Sequence, residues 1–210
     1  MSFAVFVTAA KPSAKALNRA FLLIQDFEFG EYPEDSRWTL ITSKQAPSEL
    51  PPATVLPIPD ISDNAFALSS MTEINTFIRE NEDFMFKMGV SSGVWLIIDQ
   101  KGLETSTCLV CEQIYNPGED EEGGEGEAGM TSEFRACRLP YEHAWSMICN
   151  LDIANMNFEE YVDEGAGEQE DGSWKWMSFD ASTKDTEEES AEEVKRAAAL
   201  KELRDGGYAD

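Results

Sequence analysis

A chain of 210 residues in which 42% are hydrophobic and 10% aromatic can bury one core, which excludes a chain disordered throughout. Sixteen Lys and Arg stand against 41 Asp and Glu, a formal net charge of −25. Such a surface repels nucleic-acid phosphates and anionic headgroups, so neither nucleic acid nor a membrane is expected as a partner. No run of about 18 apolar residues is present to span a bilayer.

In chain order, a short apolar stretch from Phe3 to Ala10 comes first, with no Lys or Arg before it. It lacks the basic flank of a signal peptide and reads as a first strand or a loosely packed arm. Phe21 to Ile24 is a continuous apolar run ending at Gln25 and Asp26, the pattern of a buried strand. Residues 37–43 predict a second strand. The link over 45–63 carries five prolines, which exclude a regular helix interior or a central strand. Ser70-Met-Thr-Glu73 resembles a capping box, and Ile74, Phe77 and Ile78 have helical spacing. A helix is therefore expected over 71–80, extending toward 87.

Gly93 introduces a third buried strand that ends at Asp99. Residues 100–104 read as a turn, and Thr105 to Tyr115 as a fourth strand that pairs with the third across Gly102. The stretch 117–131 is rich in Gly and Glu and is expected to be disordered. Ser132 to Pro140 predicts another strand, and Pro140 starts a helix over 141–151. A second short helix follows, with Asn155 or Asn157 as its N-cap and Phe158, Tyr161 and Val162 toward the core. Residues 172–179 read as a terminal strand or docked segment carrying Trp174, Trp176 and Met177. The tail reads as a charged helix with an i,i+4 pair, Glu192 and Arg196, stopped at Gly206-Gly207. Its large apolar residues are Val194, Leu200 and Leu203, so it is expected to be solvated, with docking to a partner as the other reading.

Together these elements predict an α/β (or α+β) fold with a single mixed sheet of about five strands packed by two to four helices. Residues 1–16 form an N-terminal arm, 17–180 one domain with the acidic insert, and 181–210 a charged tail. The acidity is concentrated in loops: Glu119 to Glu127 holds six acids, Glu159 to Asp171 holds seven, and neither contains Lys or Arg. Of the four cysteines, Cys108 and Cys111 form a CxxC, but on a strand residues three apart face opposite sides, which opposes a shared metal or a disulfide. No metal or cofactor is expected. Reduced thiols fit a cytoplasmic protein.

The segment 134–164 resembles the signature of the DUF6924 family: Phe134-Arg135, then Pro140, Trp145-Ser146, Asn150-Leu151 and Ala154-Asn155-Met156-Asn157-Phe158-Glu159-Glu160. Asp26 and Phe27, after the apolar run, resemble the close of the family's opening strand, and Val94 to Asp99 its middle strand. The resemblance covers roughly residues 19–178. It implies a fold and supplies little mechanism. The acidic insert, the proline link and the tail depart from the family's compact pattern.

Asp26 and Asp99 each close an apolar run. If those runs were parallel neighbours, the two carboxylates would converge beyond the strand ends, where they would hold Mg²⁺ or serve as acid and base on a small molecule. The alternative is that each caps a turn. Arg135 and Arg138 would face opposite ways on one strand, one pairing with Glu159 or Asp152 and the other meeting solvent or an anion. Asn150, Asn155, Asn157 and Glu159 would line a polar pocket or cap the helix break. His143, the only histidine, is the one candidate for imidazole catalysis.

Three functions follow as expectations. The first is a non-catalytic acidic interaction or accessory protein with a basic protein partner. The second is a small enzyme or accessory factor acting on a small-molecule ligand near Asp26 and Asp99. The third is an inhibitor or immunity-type protein that mimics a polyanion.

Overall fold

The segment assigned to an arm contains an interior strand of the sheet. Phe3 to Val7 are apolar in succession and fully covered, the signature of a parallel strand buried on both faces. β1 (Ser2–Val7) lies between two parallel neighbours, β2 (Trp38–Leu40) and β3 (Val90–Ile98). The sheet continues antiparallel through β4 (Thr107–Asn116) and β5 (Gly129–Pro140), and β6 (Trp174–Lys175) closes it, parallel to β5. The strand order is β2-β1-β3-β4-β5-β6, six strands where about five were expected. This computed structural model describes residues 1–30, 32, 34–45, 53–58, 60–116, 118, 129–178 and 190–210. Most of the insert predicted to be disordered lies outside them, and its last residues, 129–131, open β5.

Alternation along the strands divides the core in two. Val5, Leu96, Val110 and Cys137 point to one face, and Phe6, Trp95, Leu109 and Ala136 to the other. The first face is covered by α1 (Ala14–Leu23) and α5 (Ala144–Asp152), the second by α2 (Met71–Glu80) and α3 (Glu82–Lys87). The result is a three-layer α/β/α arrangement. The expected capping box at α2 is present: Glu73 N–H donates to Ser70 Oγ at 3.2 Å, and Ser70 N–H to Glu73 Oε2 at 2.8 Å.

Two local expectations fail. Phe21 to Ile24 is the end of α1 rather than a strand. Ser13 caps this helix by accepting from Ala16 N–H at 3.1 Å, and Leu17, Phe21 and Ile24 form its inner stripe. Leu22 and Leu23 are buried as well. A helix apolar on most sides is one covered on most sides, and a run of four apolar residues does not distinguish it from a strand. Residues 100–104 are likewise helical, in α4 (Gln100–Thr105). A Cβ at Gly102 would lie 2.3 Å from the Thr107 carbonyl oxygen, so only glycine allows α4 to fold back against β4.

The tail forms the expected helix, α6 (Ala191–Asp205), but it is docked rather than free. Arg196 lies over the Phe27 ring and pairs with Glu192. Lys195 Nζ donates to the Phe27 carbonyl at 3.4 Å. Asn18, 2% exposed on α1, fastens two segments at once. Its Oδ1 accepts from Ile58 N–H at 2.7 Å, and its Nδ2 donates to the Tyr208 carbonyl at 3.1 Å. The proline link and the C-terminus are thereby tied to the same buried amide, which explains why α1 is covered on its outer side.

Replacing Asn18 by Leu leaves the Ile58 donor and the Tyr208 acceptor without this partner. The expected loss is about 2 kcal/mol of stability in urea denaturation, together with faster proteolytic release of residues after 178. Removing residues 1–7 takes out the strand between β2 and β3, and the remaining chain is expected to show no cooperative unfolding transition.

Candidate functional site

The two aspartates nominated as a pair are at opposite ends of the sheet. β1 and β3 run in the same direction, so Asp99, which follows β3, lies at their carboxyl end. α1 returns to the amino end, where Trp38 Nε1–H, at the start of β2, donates to the Ile24 carbonyl at 3.0 Å. Asp26 lies just beyond. It accepts from the N–H groups of Glu28 and Phe29 at 3.0 and 2.9 Å, which makes it the cap of its own turn. The expected convergence required residues 20–25 to be a strand, and they are not.

Asp99 caps α4 through Gly102 N–H at 2.6 Å and is gripped by Arg138. The guanidinium donates from Nη1 to Asp99 Oδ1 at 3.1 Å and from Nη2 to Oδ2 at 2.6 Å, a bidentate pair. Arg138 Nε lies 3.5 Å from Asp171 Oδ2, which also accepts from Lys101 Nζ at 2.9 Å. Asp171 Oδ1 takes the Ser173 hydroxyl at 2.5 Å and its N–H at 3.1 Å. Burial acts to raise the Asp171 carboxyl, but the Ser173 hydroxyl, Lys101, the Ser173 amide and Arg138 outweigh it and hold the carboxyl well below the usual range.

Arg135 serves the opposite face, as its parity predicts. Its Nε donates to Glu112 Oε2 at 2.8 Å across the β4–β5 ladder, and Nη1 pairs with Glu159. The guanidinium stacks 4.5 Å from the centre of the Phe158 ring. Burial lifts Glu112 above the ordinary glutamate value although Arg135 pulls it down. Glu159 is half-exposed; burial acts to raise its carboxyl, but its backbone hydrogen bond and Arg135 together outweigh that and leave it lowered. Glu159 is one of the two partners the sequence nominated for one of the strand's arginines. Asp152, the other, instead accepts from the Ser91 hydroxyl at 3.1 Å.

Asn150 and Asn155 bind backbone and each other. Asn150 Nδ2 donates to the Ser146 carbonyl at 2.8 Å, and its Oδ1 accepts from Asn155 Nδ2 at 2.7 Å. They close a turn in which Ala154 adopts φ 52°. Asn157 and Glu160 form the capping box of a 3-10 turn, Phe158–Tyr161. His143 stands at the entry to α5 with its ring 4.4 Å from that of Trp176. Cys108 and Cys111 lie in opposite cores, and burial pushes the Cys137 and Cys149 thiols up to about 12. Such thiols are poor nucleophiles at neutral pH. Among the described residues, no group of three or more His, Cys, Asp and Glu is arranged to hold a metal ion.

The residues brought together are thus Arg135 with Glu159, and Asn150 with Asn155. Three participants were missed: Glu112, Asp171 and Trp176. Glu112 faces Arg135 only because of strand register, and Asp171 reaches Arg138 only because β6 returns beside β5. Neither relation has a local sequence signal.

Arg138, 11% exposed at its side chain, is the most enclosed of these cations. Arg138→Met removes the bidentate partner of Asp99 and one of the two cations at Asp171, and is expected to cost about 3 kcal/mol in urea denaturation. Asp171 gives a pH signature. Its folded pKa lies below the unfolded value of about 3.9, so it stabilises the fold above that pH and loses its contribution as pH falls. Asp171→Asn is expected to flatten the fall of Tm on acidification below about pH 4, measured by calorimetry.

Comparison with curated proteins and with solved structures finds no match. The profile of one family, described as a domain of unknown function, DUF6924, matches residues 30–175. That span runs from the turn after α1 to the end of β6 and contains both arginine pairs and the asparagine turn. The chain belongs to the DUF6924 family.

Proposed function

We propose that this chain is a non-catalytic, acidic interaction protein that presents carboxylates to a basic protein partner. The observation that carries the reading is the distribution of ion pairs. Arg79, Arg135, Arg138 and Arg196 are all taken up by carboxylates of this same chain. Glu164, Glu168 and Glu170 are exposed, and no ion pair to them is found among the described residues.

These acids are held by an ordered loop. Asp163 caps its 3-10 turn, Glu164–Ala166, by accepting from Ala166 N–H at 3.2 Å, and Glu168 bridges to Trp174. A preset array of carboxylates loses little entropy when it meets cations. The groups nominated for catalysis are each engaged in caps, ion pairs or ring stacking, which favours a binding role over a chemical one. The reading also assigns the chain to the cytoplasm, where its four free thiols would stay reduced.

Capture by the full chain at low and high salt tests the proposal. A basic partner is expected to be retained at about 0.05 M salt and released by about 0.5 M, because long-range attraction between exposed charges is screened. Converting Glu164, Glu168 and Glu170 together to Gln should lower the retained amount severalfold. Retention of no basic protein at low salt, or of one indifferent to salt, overturns it.

A further inference from the structure

The two ends of the sheet differ in how they are finished. At the carboxyl end the chain closes over itself. Asn64 Nδ2 donates to the Val7 carbonyl at 2.6 Å, Leu68 N–H to the Thr8 carbonyl at 2.8 Å, and α4 is fastened by Asp99 and Arg138.

Among the described residues, the amino end is left apolar and open. Met1 precedes β1, Phe29 lies in the Asp26 turn, and Phe86 is one turn before Gly89, whose carbonyl takes Ser2 N–H at 2.8 Å. Tyr115 and Met130 face each other at the end of the β4–β5 ladder, and Ile153 follows Asp152, which is bonded to Ser91 near the start of β3. These six side chains are between 40% and 82% exposed. Single exposed apolar residues are ordinary. Here, however, six of the eleven large exposed hydrophobics among the described residues share one end of the sheet.

The charge beside them is acidic. Among the described residues of 26–37 and 79–88, together with Asp152, eight carboxylates stand against three cations, Arg37, Arg79 and Lys87. Arg79 is already paired with Glu82 at 3.0 Å. Acidic surroundings oppose an anionic lipid surface, and a net charge of −25 opposes a second copy of the chain. The end of a sheet offers no free strand edge to extend, so an occupant would be held through side chains rather than a backbone ladder.

We propose that the amino end of the sheet docks a basic amphipathic helix of a partner protein, with apolar residues against Phe29, Phe86 and Ile153 and flanking Lys or Arg against the surrounding carboxylates. This rests on the reading of the chain as an acidic interaction protein, and adds to the 164–170 loop a second surface and the shape of the partner.

The test uses the full chain and two synthetic probes of equal charge, an amphipathic Leu/Lys helical peptide and oligolysine, followed by fluorescence anisotropy at low salt. The chain is expected to bind the amphipathic peptide about tenfold more tightly than oligolysine, as burial of one or two apolar side chains would give. The combined variant Phe29→Ser, Phe86→Ser, Ile153→Ser should abolish that preference while still binding oligolysine. Leu68→Ser, an equally exposed site at the carboxyl end, should leave it intact. Circular dichroism confirms that the variants are folded. A preference that persists in the triple variant, or that Leu68→Ser abolishes, overturns the proposed surface alone. Equal binding of both probes by the unaltered chain also overturns the surface, and binding of neither removes the acidic-interaction reading beneath it.

Discussion

Everything in this fold depends on burying β1. A strand covered on both faces has no water for its peptide groups, so both of its edges must be paired. Parallel β2 and β3 supply those edges, and parallel pairing in turn requires crossovers that lay helices on the faces. The crossover through α1 covers one face and the chain through α2 and α3 covers the other. The match to the family begins at residue 30, after β1 and α1. The matched span therefore does not include the strand that organises the sheet.

From that sheet follows the division of labour between the two arginines of β5. Three residues apart, they emerge on opposite faces, and each finds two carboxylates. Arg135 ties the ladder to the turn after α5; Arg138 ties α4 to the loop before β6. Both fasten peripheral elements to the same central ladder. The cost of enclosing a guanidinium is offset by bidentate or stacked geometry, which lysine would not reproduce. Glu164, Glu168 and Glu170, outside these networks, face solvent.

Much of this architecture was legible from local pattern. The capping box before α2, the strands around Gly93 and Cys108, and the cap at Asn157 are local hydrogen-bonding or periodicity signals and were found where expected. The opposite facing of Cys108 and Cys111 followed from pleat alone. The failures occurred where burial is nearly isotropic. Phe21 to Ile24 carries too little periodicity to reveal its helix because Asn18, the link and α6 cover the outer side of α1. Phe3 to Val7 has the same ambiguity in a strand, and its terminal position favoured an arm.

The sequence by itself determined the class of fold, the family, the acidic character and most local caps, because each depends on residues within a few positions of one another. Only the tertiary structure decided that the N-terminal segment is an interior strand, that Asp26 and Asp99 lie at opposite ends of the sheet, and which carboxylates hold Arg135 and Arg138. Those relations are set by strand order and register. Register is decided when many weak side-chain preferences are satisfied together, so no short stretch of residues carries it.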